Sequence, residues 1–325
     1  MAENIKTIGV LTSGGDSPGM NAAIRAVVRV GAHYGIKVMG IKRGYNGLIK
    51  GDIKEMKPRD VSNTIQKGGT ILQTARCLEF KKPEIVARGV EMARIFDIDG
   101  LVVIGGDGSF RGAKALCEAG LPTIAIPGTI DNDIDCSEYT IGFDTCLNTV
   151  KSAVDNIKDT TESHDRCSVI EVMGRGAGHL ALLAGIACGA DVILVPEVEW
   201  SFEEDVLKPI LHSRAKGETH FIVLVAEGVG GVIEMAKKIE AKVGIESRAT
   251  ILGHVQRGGS PSVRDRVMAS DMGCHAVELL REGKQNRIVC LRDGKVTDVD
   301  ITEGLDMKKT LTEAHVALAK KLGYK

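Results

Sequence analysis

Short runs of aliphatic residues, each followed by glycines and then by a helical pattern, recur along the chain. Such apolar runs are typical of parallel strands covered on both faces, and their alternation with helices predicts doubly wound sheets. The predicted strands are Ile8–Leu11, Val38–Ile41, Leu101–Ile104, Thr123–Ile126, Val169–Val172, Val192–Val195, Phe221–Ala226 and Ile251–Val255. The predicted helices cover about 18–34, 84–96, 109–119, 143–161, 177–188, 203–215, 232–243, 261–282 and 308–322. These units are too many for one modest sheet, so we predict two doubly wound α/β domains, with the chain crossing between them near 143–161.

Length, charge and composition narrow the function classes. The 325 residues favour two domains over one. Acidic and basic residues balance to a net charge of −1 and aromatic residues make up 3%, so we expect no nucleic-acid partner and no membrane partner. No apolar stretch approaches the 18 or so residues of a membrane span, and the N-terminus runs directly into a strand-like segment, which predicts a cytoplasmic protein. The eight cysteines form no C-x-x-C pair and are interpreted as reduced core residues.

The first candidate site follows the first predicted strand, where Gly14 and Gly15 precede Ser17 and Pro18. Ser17 can cap the following helix and Pro18 fits its first turn. Free amides at that helix start would bind an anion, and paired glycines let a phosphate approach the main chain. Neither standard nucleotide-binding fingerprint is present, so a simple tight turn is an equal alternative.

A second glycine-rich turn, Gly105–Ser109, ends the strand Leu101–Ile104. A carboxylate beside amides that hold a polyphosphate is electrostatically sensible only if a cation lies between them. Asp107 is therefore a candidate Mg²⁺ ligand. The alternative is that Asp107 merely caps the next helix.

The third candidate is the loop Pro127–Asp133, again just past a predicted buried strand. In an extended backbone Thr129, Asp131 and Asp133 would point to one side, because side chains alternate with period two. One carboxylate can then take a proton from a substrate hydroxyl while the other holds metal, as phosphoryl transfer to an alcohol requires. Turn-forming carboxylates that only organise the loop are the alternative.

Several arginines lie at predicted strand ends or in glycine-rich loops, and one histidine accompanies them. These residues are Arg76, Arg166, Arg175, Arg248, Arg257 and His254. Guanidinium groups bind phosphate oxygens bidentately, so the set indicates a phosphorylated substrate as well as a nucleotide.

On the first predicted helix, Asn21, Arg25 and Arg29 form one stripe, which is either a second anion site or ordinary surface charge.

The motifs together resemble the family of bacterial ATP-dependent 6-phosphofructokinases over nearly the whole chain. Matching segments occur in the family's order and spacing at 11–25, 68–72, 102–109, 127–134, 140–149, 172–178, 225–228 and 252–261. The resemblance implies Mg²⁺-assisted transfer of the γ-phosphoryl group of ATP to the 1-hydroxyl of fructose 6-phosphate, in glycolysis. It also implies an ATP-binding domain, 1–142 plus about 258–305, that faces a sugar-phosphate domain, 143–257 plus about 306–325, across an active-site cleft.

The family's site residues carry over position by position. The ATP site implied is Gly15, Tyr45, Arg76, Cys77, Asp107, Gly108, Ser109 and Gly112, with Asp107 holding Mg²⁺. Asp131 would be the general base, Asp133 would assist it or the metal, and Thr129 with Arg175 would steady the transferred group. The sugar phosphate would contact Thr129, Asp131, Arg166, Met173, Gly174, Arg175, Glu227, Arg248, His254 and Arg257. In the family the residues matching Arg166 and Arg248 come from a neighbouring subunit, which implies a homotetramer.

Donor choice and regulation are also implied by the resemblance. Pyrophosphate-using relatives carry Asp at the position of Gly108 and Lys at the position of Gly128, so both glycines favour ATP.

The implied site for ADP or a phosphoenolpyruvate-type effector is Arg25, Arg29, Arg59, Lys158, Gly189, Asp191, Lys216 and His220. Two basic positions of that pattern are changed here, to Pro58, with Arg59 adjacent as a substitute, and to Glu218. We therefore expect a weakened or altered effector response.

Three other functions stay open on the sequence. One is a kinase of the same glycine-rich type acting on another acceptor, such as NAD or a lipid alcohol, and another is a non-catalytic nucleotide sensor. The third is a dehydrogenase, because Met173–Gly178 with Glu197 imitates a dinucleotide fingerprint. Its glycine spacing is wrong, and it would leave Asp107, Asp131 and Asp133 without a role.

Overall fold

The computed structural model describes residues 5–322, which form two compact units. Unit 1 is Thr145 and the residues before it together with Arg257–Lys309, and unit 2 is Cys146–Gln256 together with the residues from Thr310 onward. The strands are β1 Thr7–Ser13, β2 Lys37–Ile41, β3 Ile53–Met56, β4 Gly100–Gly105, β5 Thr123–Pro127, β6 Cys167–Val172, β7 Val192–Leu194, β8 Phe221–Ala226, β9 Ser247–Ile251, β10 Arg287–Arg292 and β11 Lys295–Asp300. The helices are α1 Met20–His33, α2 Gly44–Lys50, α3 Pro83–Ile95, α4 Asp107–Glu118, α5 Phe143–Ser163, α6 His179–Cys188, α7 Lys208–Ala215, α8 Val232–Val243, α9 Val263–Arg281, α10 Ile301–Asp306 and α11 Glu313–Leu322.

Unit 1 is built on a seven-stranded sheet with the order β11-β10-β5-β4-β1-β2-β3. Its five central strands are parallel, whereas the edge strands β3 and β11 pair antiparallel to their neighbours. Alternate residues of a central strand enter different cores: Val102 and Ile104 pack with α1 and α9, and Leu101 and Val103 pack with α2, α3 and α4. The continuous apolar runs therefore mark strands that are buried on both faces.

Unit 2 has a four-stranded parallel sheet with the order β7-β8-β6-β9. Its central strands β6 and β8 are almost wholly buried, and β9 forms an edge on which only the first residue is buried. A π-helix, Phe202–Leu207, precedes α7, and a 3₁₀ helix, Gly253–Arg257, follows β9. The predicted α/β class with mainly parallel sheets is confirmed.

The structure corrects several local predictions. The predicted strand Ile251–Val255 is wrong: β9 ends at Ile251, because Gly253 has a φ of 59° and the chain enters a 3₁₀ helix. The edge position of β9 gives it polar, exposed residues that hid it in the sequence. The hairpin β10–β11 was also missed, although Asp293-Gly294 at its turn, with φ of 50° and 70°, is a recognised hairpin signal.

The last helix is shorter than predicted. The predicted helix 308–322 begins only at Glu313, and its last described residue is Leu322.

Among the helices within residues 5–322, none is both long and apolar enough to cross a membrane.

Candidate functional site

Three loops lie side by side at the carboxyl edge of the unit 1 sheet, after β1, β4 and β5. Ser13 is in register with Gly105, which is in register with Pro127 on its other side. The Gly128 amide donates to the Gly105 carbonyl over 2.9 Å, and the Ser109 hydroxyl donates to the Ser13 carbonyl over 3.0 Å. Doubly wound folds bind their ligands at this edge, so the three sequence motifs converge where such a site is expected.

The loop after β1 does not begin its helix as predicted. Helix α1 starts at Met20 after Gly19, whose φ is 109°, and no side chain caps it. The Ser17 hydroxyl is buried and makes no hydrogen bond with the described residues, so the prediction that Ser17 caps the helix is wrong. A left-handed Gly19 redirects the chain after Ser17 and Pro18, and this moves the hydroxyl away from the helix amides.

The Arg257 side chain contacts this same loop. Its guanidinium donates to the Asp16 carbonyl over 3.3 Å, and a Cβ added at Gly15 would come within 2.5 Å of it. Glycine at position 15 therefore makes room for the arginine against the main chain. Arg257 belongs to unit 1, whereas the other arginines predicted for the sugar phosphate, Arg166 and Arg248, belong to unit 2.

Asp107 is the first residue of α4, and its carboxylate faces a cation. The Arg111 Nε atom lies 3.0 Å from the Asp107 Oδ2 atom, one helical turn away. The Asp107 side chain is 42% exposed, so it is accessible to a ligand. Next to it, no protein atom lies within 4 Å of the position that a Cβ would take on Gly108.

A Mg²⁺ ion fits this arrangement only if a bound substrate shares in its coordination. Within residues 5–322, no group of three or more His, Cys, Asp or Glu side chains is placed to hold a metal by itself. Mg²⁺ is commonly held by one or two carboxylates together with substrate phosphates and water. Asp107, at the start of a helix and with open space beside Gly108, suits that mode.

Tyr45, Ser109 and Gly112 support α4 from the protein side. The buried Tyr45 hydroxyl donates to the Ser109 carbonyl, and its ring stacks on Phe80 with centroids 4.1 Å apart. A Cβ at Gly112 would come within 2.7 Å of the Tyr45 ring. Burial raises the pKa of Tyr45. The tyrosine predicted near the nucleotide is thus part of the packing under the Asp107 turn.

Arg76 and Cys77 come to the same edge through the segment before the 3₁₀ helix Leu78–Lys81. The Thr74 hydroxyl donates to the Gly14 carbonyl over 2.8 Å, and the Thr12 hydroxyl donates to the Gln73 carbonyl over 2.9 Å. These bonds lay the segment along the loop after β1. Cys77 is partly exposed, and burial raises the pKa of its thiol, which disfavours the reactive thiolate.

The loop after β5 carries Thr129, Asp131 and Asp133. Thr129 and Asp131 are buried, and the Asp131 amide donates to the Thr129 hydroxyl over 3.2 Å. A Cβ at Gly106 would lie 3.9 Å from the Thr129 Cβ, so this loop adjoins the Asp107 turn. Asn132 has a φ of 53°, so the backbone is not extended between the two aspartates, and the period-two argument that aligned Asp133 with Asp131 is wrong.

Arg166 and Arg248 of unit 2 share one carboxylate. Ser168 and Arg248 are in register on β6 and β9, and Arg166 comes just before β6. The Arg166 Nε atom lies 2.7 Å from one oxygen of Glu246, and the Arg248 Nε atom lies 2.9 Å from the other. Arg166, and then Arg248, lowers the pKa of Glu246. The two predicted phosphate ligands therefore lie together, held by a glutamate that the sequence analysis missed.

Met173, Gly174 and Arg175 follow β6 and form a tight turn against Glu227. The Arg175 amide donates to the Glu227 carboxylate, and Gly174 has a φ of 139° that favours glycine. The buried Gln256 side chain, also missed, accepts a hydrogen bond from the Met173 amide over 3.0 Å. These contacts bring together Met173, Gly174, Arg175 and Glu227, four of the residues predicted to contact the sugar phosphate.

Two further unit 2 residues differ from their predicted setting. His254 is exposed in the 3₁₀ helix and does not lie on a strand. Glu197 accepts a hydrogen bond from the Gly178 amide over 2.8 Å at the start of α6. The glutamate of the imitated dinucleotide fingerprint is thus engaged in holding a helix start.

The predicted effector residues fall into two groups. Arg25, Arg29 and Arg59 lie in unit 1, where Arg29 and Arg59 are exposed; Lys158, Gly189, Asp191, Lys216 and His220 lie in unit 2. Lys158 donates to the Cys188 carbonyl over 3.3 Å, beside Gly189. Asn21 does not belong to the basic stripe, because it is buried and its amide bonds the Lys67 carbonyl and the Ile71 amide.

Comparison with known proteins gives one consistent family. A family model described as "Phosphofructokinase" matches residues 7–280. A protein of Clostridium perfringens (strain 13 / Type A), named ATP-dependent 6-phosphofructokinase 1, is 53% identical over 315 residues, which are 97% of this chain and 98% of the relative. The ATP-dependent 6-phosphofructokinase of Clostridium novyi (strain NT) is 55% identical over 320 residues, which are 98% of this chain and 100% of the relative.

Solved structures agree on the fold. A phosphofructokinase from Saccharomyces cerevisiae superposes with a TM-score of 0.87 at 34% identity, covering 98% of this chain and 47% of the yeast chain. A pyrophosphate-dependent phosphofructokinase from Marinobacter aquaeolei superposes with a TM-score of 0.84 at 23% identity, covering 95% of this chain and 86% of the other. The second likeness supports the architecture alone.

Proposed function

Because this chain belongs to the phosphofructokinase family, we propose that it transfers the γ-phosphoryl group of ATP to the 1-hydroxyl of fructose 6-phosphate. The products are fructose 1,6-bisphosphate and ADP, and the reaction belongs to glycolysis. The predicted enzyme class, an ATP-dependent 6-phosphofructokinase, is confirmed by the clostridial relatives at 53% and 55% identity. The observation that carries the proposal is the meeting of the Asp107 turn and the Asp131 loop at one sheet edge.

We assign the chemistry to the loop after β5. Asp131 accepts the proton of the sugar hydroxyl while the hydroxyl oxygen bonds to the γ-phosphorus and ADP leaves. Thr129, whose hydroxyl accepts a hydrogen bond from the Asp131 amide, helps to steady the transferred group. Asp133 assists Asp131 or the metal, and the positive charge of Arg175 steadies the negatively charged transferred group.

The nucleotide is assigned to the loops after β1 and β4 and to the Arg76–Cys77 segment. Helix α4 presents its N-terminus, which favours phosphate. A bound Mg²⁺ would neutralise charge on the phosphates. Asp107 would hold it, and Arg111, now paired with that carboxylate, would give up part of its contact.

Two glycines support ATP as the donor over pyrophosphate. The space beside Gly108 leaves room for the α-phosphate of a nucleotide. At Gly128, a Cβ would already come within 3.1 Å of Ile104 and Met20, so a lysine there would require these side chains to shift. Both features agree with the donor named for the clostridial relatives.

The 6-phosphate is assigned to Arg166 and Arg248, with His254 and Arg257, and the sugar to Met173, Gly174 and Glu227. Glu246 holds the two arginines close together, so that both can bind one phosphate. We further propose that the site is completed in a homotetramer, with Arg166 and Arg248 supplied by a neighbouring subunit. A cytoplasmic location stays a prediction.

Regulation by ADP or a phosphoenolpyruvate-type effector is proposed at Arg25, Arg29, Arg59, Lys158, Gly189, Asp191, Lys216 and His220. The contact of Lys158 with the end of α6 supports a binding site beside Gly189. Pro58 and Glu218 replace two positive charges of the family's pattern, so the response is expected to be weaker.

The proposal is tested by measuring fructose 1,6-bisphosphate with a coupled assay. Wild type and Asp131→Ala are supplied with Mg²⁺, fructose 6-phosphate and either ATP or pyrophosphate. ADP release by wild type is also measured with ATP and either NAD or a lipid alcohol as the acceptor. We expect turnover only with ATP and the sugar phosphate, and its near-complete loss in Asp131→Ala. Turnover with another acceptor alone, or an active Asp131→Ala, would contradict the assignment.

A further inference from the structure

We propose that Lys309 is a positioning residue for the catalytic loop, defined here as Thr129–Glu138. The inference rests on the proposed function, because that function gives Asp131 and Asp133 their roles. Lys309 is the last residue of unit 1, and no sequence motif includes it. Its ammonium group reaches the loop from more than 170 residues away in sequence.

The ammonium group binds the loop at Asn132 and at its C-terminal end. It donates to the carbonyl oxygens of Asn132 over 3.0 Å, Ser137 over 2.8 Å and Glu138 over 3.3 Å. An ammonium has three protons to donate, so the three carbonyls match its full capacity. Hydrogen bonds from a charged donor are stronger than neutral ones, and this donor is half-buried.

The outer end of the loop is fixed to the sheet independently of Lys309. The Glu138 amide donates to the Leu291 carbonyl over 2.9 Å, and the Leu291 amide donates to the Ser137 hydroxyl over 3.0 Å. The Glu138 carboxylate also accepts a hydrogen bond from the Asp293 amide at the β10–β11 turn. Ser137 and Glu138 therefore form a firm anchor on β10.

Lys309 connects this anchor to the peptide between the two aspartates. Asn132 lies between Asp131 and Asp133 with a φ of 53°, which a residue other than glycine adopts at a cost. The bond from Lys309 to the Asn132 carbonyl holds that peptide in its turned orientation. Without it the turn would be freer to relax, and both carboxylates would move with it.

Charge supports the same role. Asp135 and Asp133 lie close enough to act on the ammonium group, and Glu138 acts more weakly. Lys309 therefore offsets negative charge in a loop that must receive a phosphorylated sugar. Its three hydrogen bonds run to main-chain carbonyls, so it acts through the positions of Asp131 and Asp133.

The test compares Lys309→Met, Lys309→Arg and the matched control Lys308→Met with wild type. Lys308 is the exposed neighbour with the same charge. We expect Lys309→Met to lower kcat by roughly 10- to 100-fold, the size of loss that a misplacement near 1 Å produces. The Kd for ATP, measured by calorimetry, and the KM for fructose 6-phosphate should stay within about twofold of wild type. Lys309→Arg should restore most of kcat, and Lys308→Met should behave as wild type.

The outcomes separate this inference from the proposed function. If wild type is active, two results overturn the role of Lys309 alone. One is a kcat of Lys309→Met within about twofold of that of wild type, and the other is equal impairment of kcat, KM and Kd in that variant. An inactive wild type overturns the proposed function, and the inference with it. If Lys309→Met does not fold, Lys309→Gln, which keeps two donors, is judged by the same criteria. Failure of both variants to fold would assign Lys309 to general stability and contradict the proposal.

Discussion

The candidate residues of the two units are held in different ways. In unit 1, Thr129 and Asp131 are buried, and main-chain hydrogen bonds to neighbouring strands fix the loops that carry them. In unit 2, the exposed Arg248 and the less exposed Arg166 are held mainly through ion pairs with Glu246. Buried contacts fix a position closely, whereas exposed ion pairs are weak and exchange readily. The contrast agrees with the roles proposed above, fixed groups for the chemistry and adjustable groups for binding a phosphate.

The largest effect is expected from charging the nucleotide side of unit 1. Gly108→Asp should abolish turnover with ATP, because the new carboxylate occupies the space assigned to the α-phosphate and repels it. Gly108→Ala is the control, since a Cβ there meets no protein atom within 4 Å. Coupled assays of both variants measure the effect. Unchanged ATP turnover in Gly108→Asp would refute the steric argument.

In unit 2, Arg248→Met should raise the KM for fructose 6-phosphate by roughly 10- to 100-fold, because a change of this size is expected when a charged hydrogen bond to phosphate is lost. The kcat should change much less, because this side chain binds and does not react. Saturation curves at fixed ATP give both constants. A fall in kcat with KM unchanged would place Arg248 in the chemistry and erase the contrast between the two units.

A smaller effect is expected beneath the Asp107 turn. Tyr45→Phe leaves the buried Ser109 carbonyl without the hydroxyl that now donates to it, and should lower the free energy of unfolding by about 1–3 kcal/mol. Stacking on Phe80 is retained. Urea unfolding of Tyr45→Phe measures the loss. A variant as stable as wild type would show that this turn is held less firmly than its contacts indicate.

The smallest effect concerns the proposed effector site. Glu218→Lys restores a positive charge and should tighten ADP binding by a few-fold, since the position is partly exposed and screened by solvent. The measurement is the ADP dependence of sugar-phosphate saturation curves. Equal ADP responses in wild type and Glu218→Lys would remove position 218 from the account of regulation.

The sequence predicted those features that depend on local pattern. Strands such as β4 and β5 are apolar on both faces, so their runs stand out, and the turns after them carry recognisable motifs. The edge strands β9 and β11 could not be found in the same way, because each of them has only one buried residue. The resemblance to a family then supplied roles that the pattern alone left open.

The remaining features depend on contacts between distant residues. Lys309 contacts Asn132, 177 positions away in sequence, and Glu246 contacts Arg166, 80 positions away. No local sequence pattern predicts either pair. The backbone of Asn132 shows a second limit, since a single left-handed residue cancels the alternation that an extended strand would give. The positions of Asp131 and Asp133 therefore required the structure.

The central claim is that Asp131 performs the proton transfer while Arg166 and Arg248 only bind the sugar phosphate. Its most direct test is the paired measurement of kcat and KM for Asp131→Asn, which keeps the side-chain size, at saturating ATP and Mg²⁺. The account predicts a loss in kcat of roughly 10²- to 10⁴-fold, with the KM for fructose 6-phosphate close to that of wild type. A kcat near that of wild type in Asp131→Asn would contradict it.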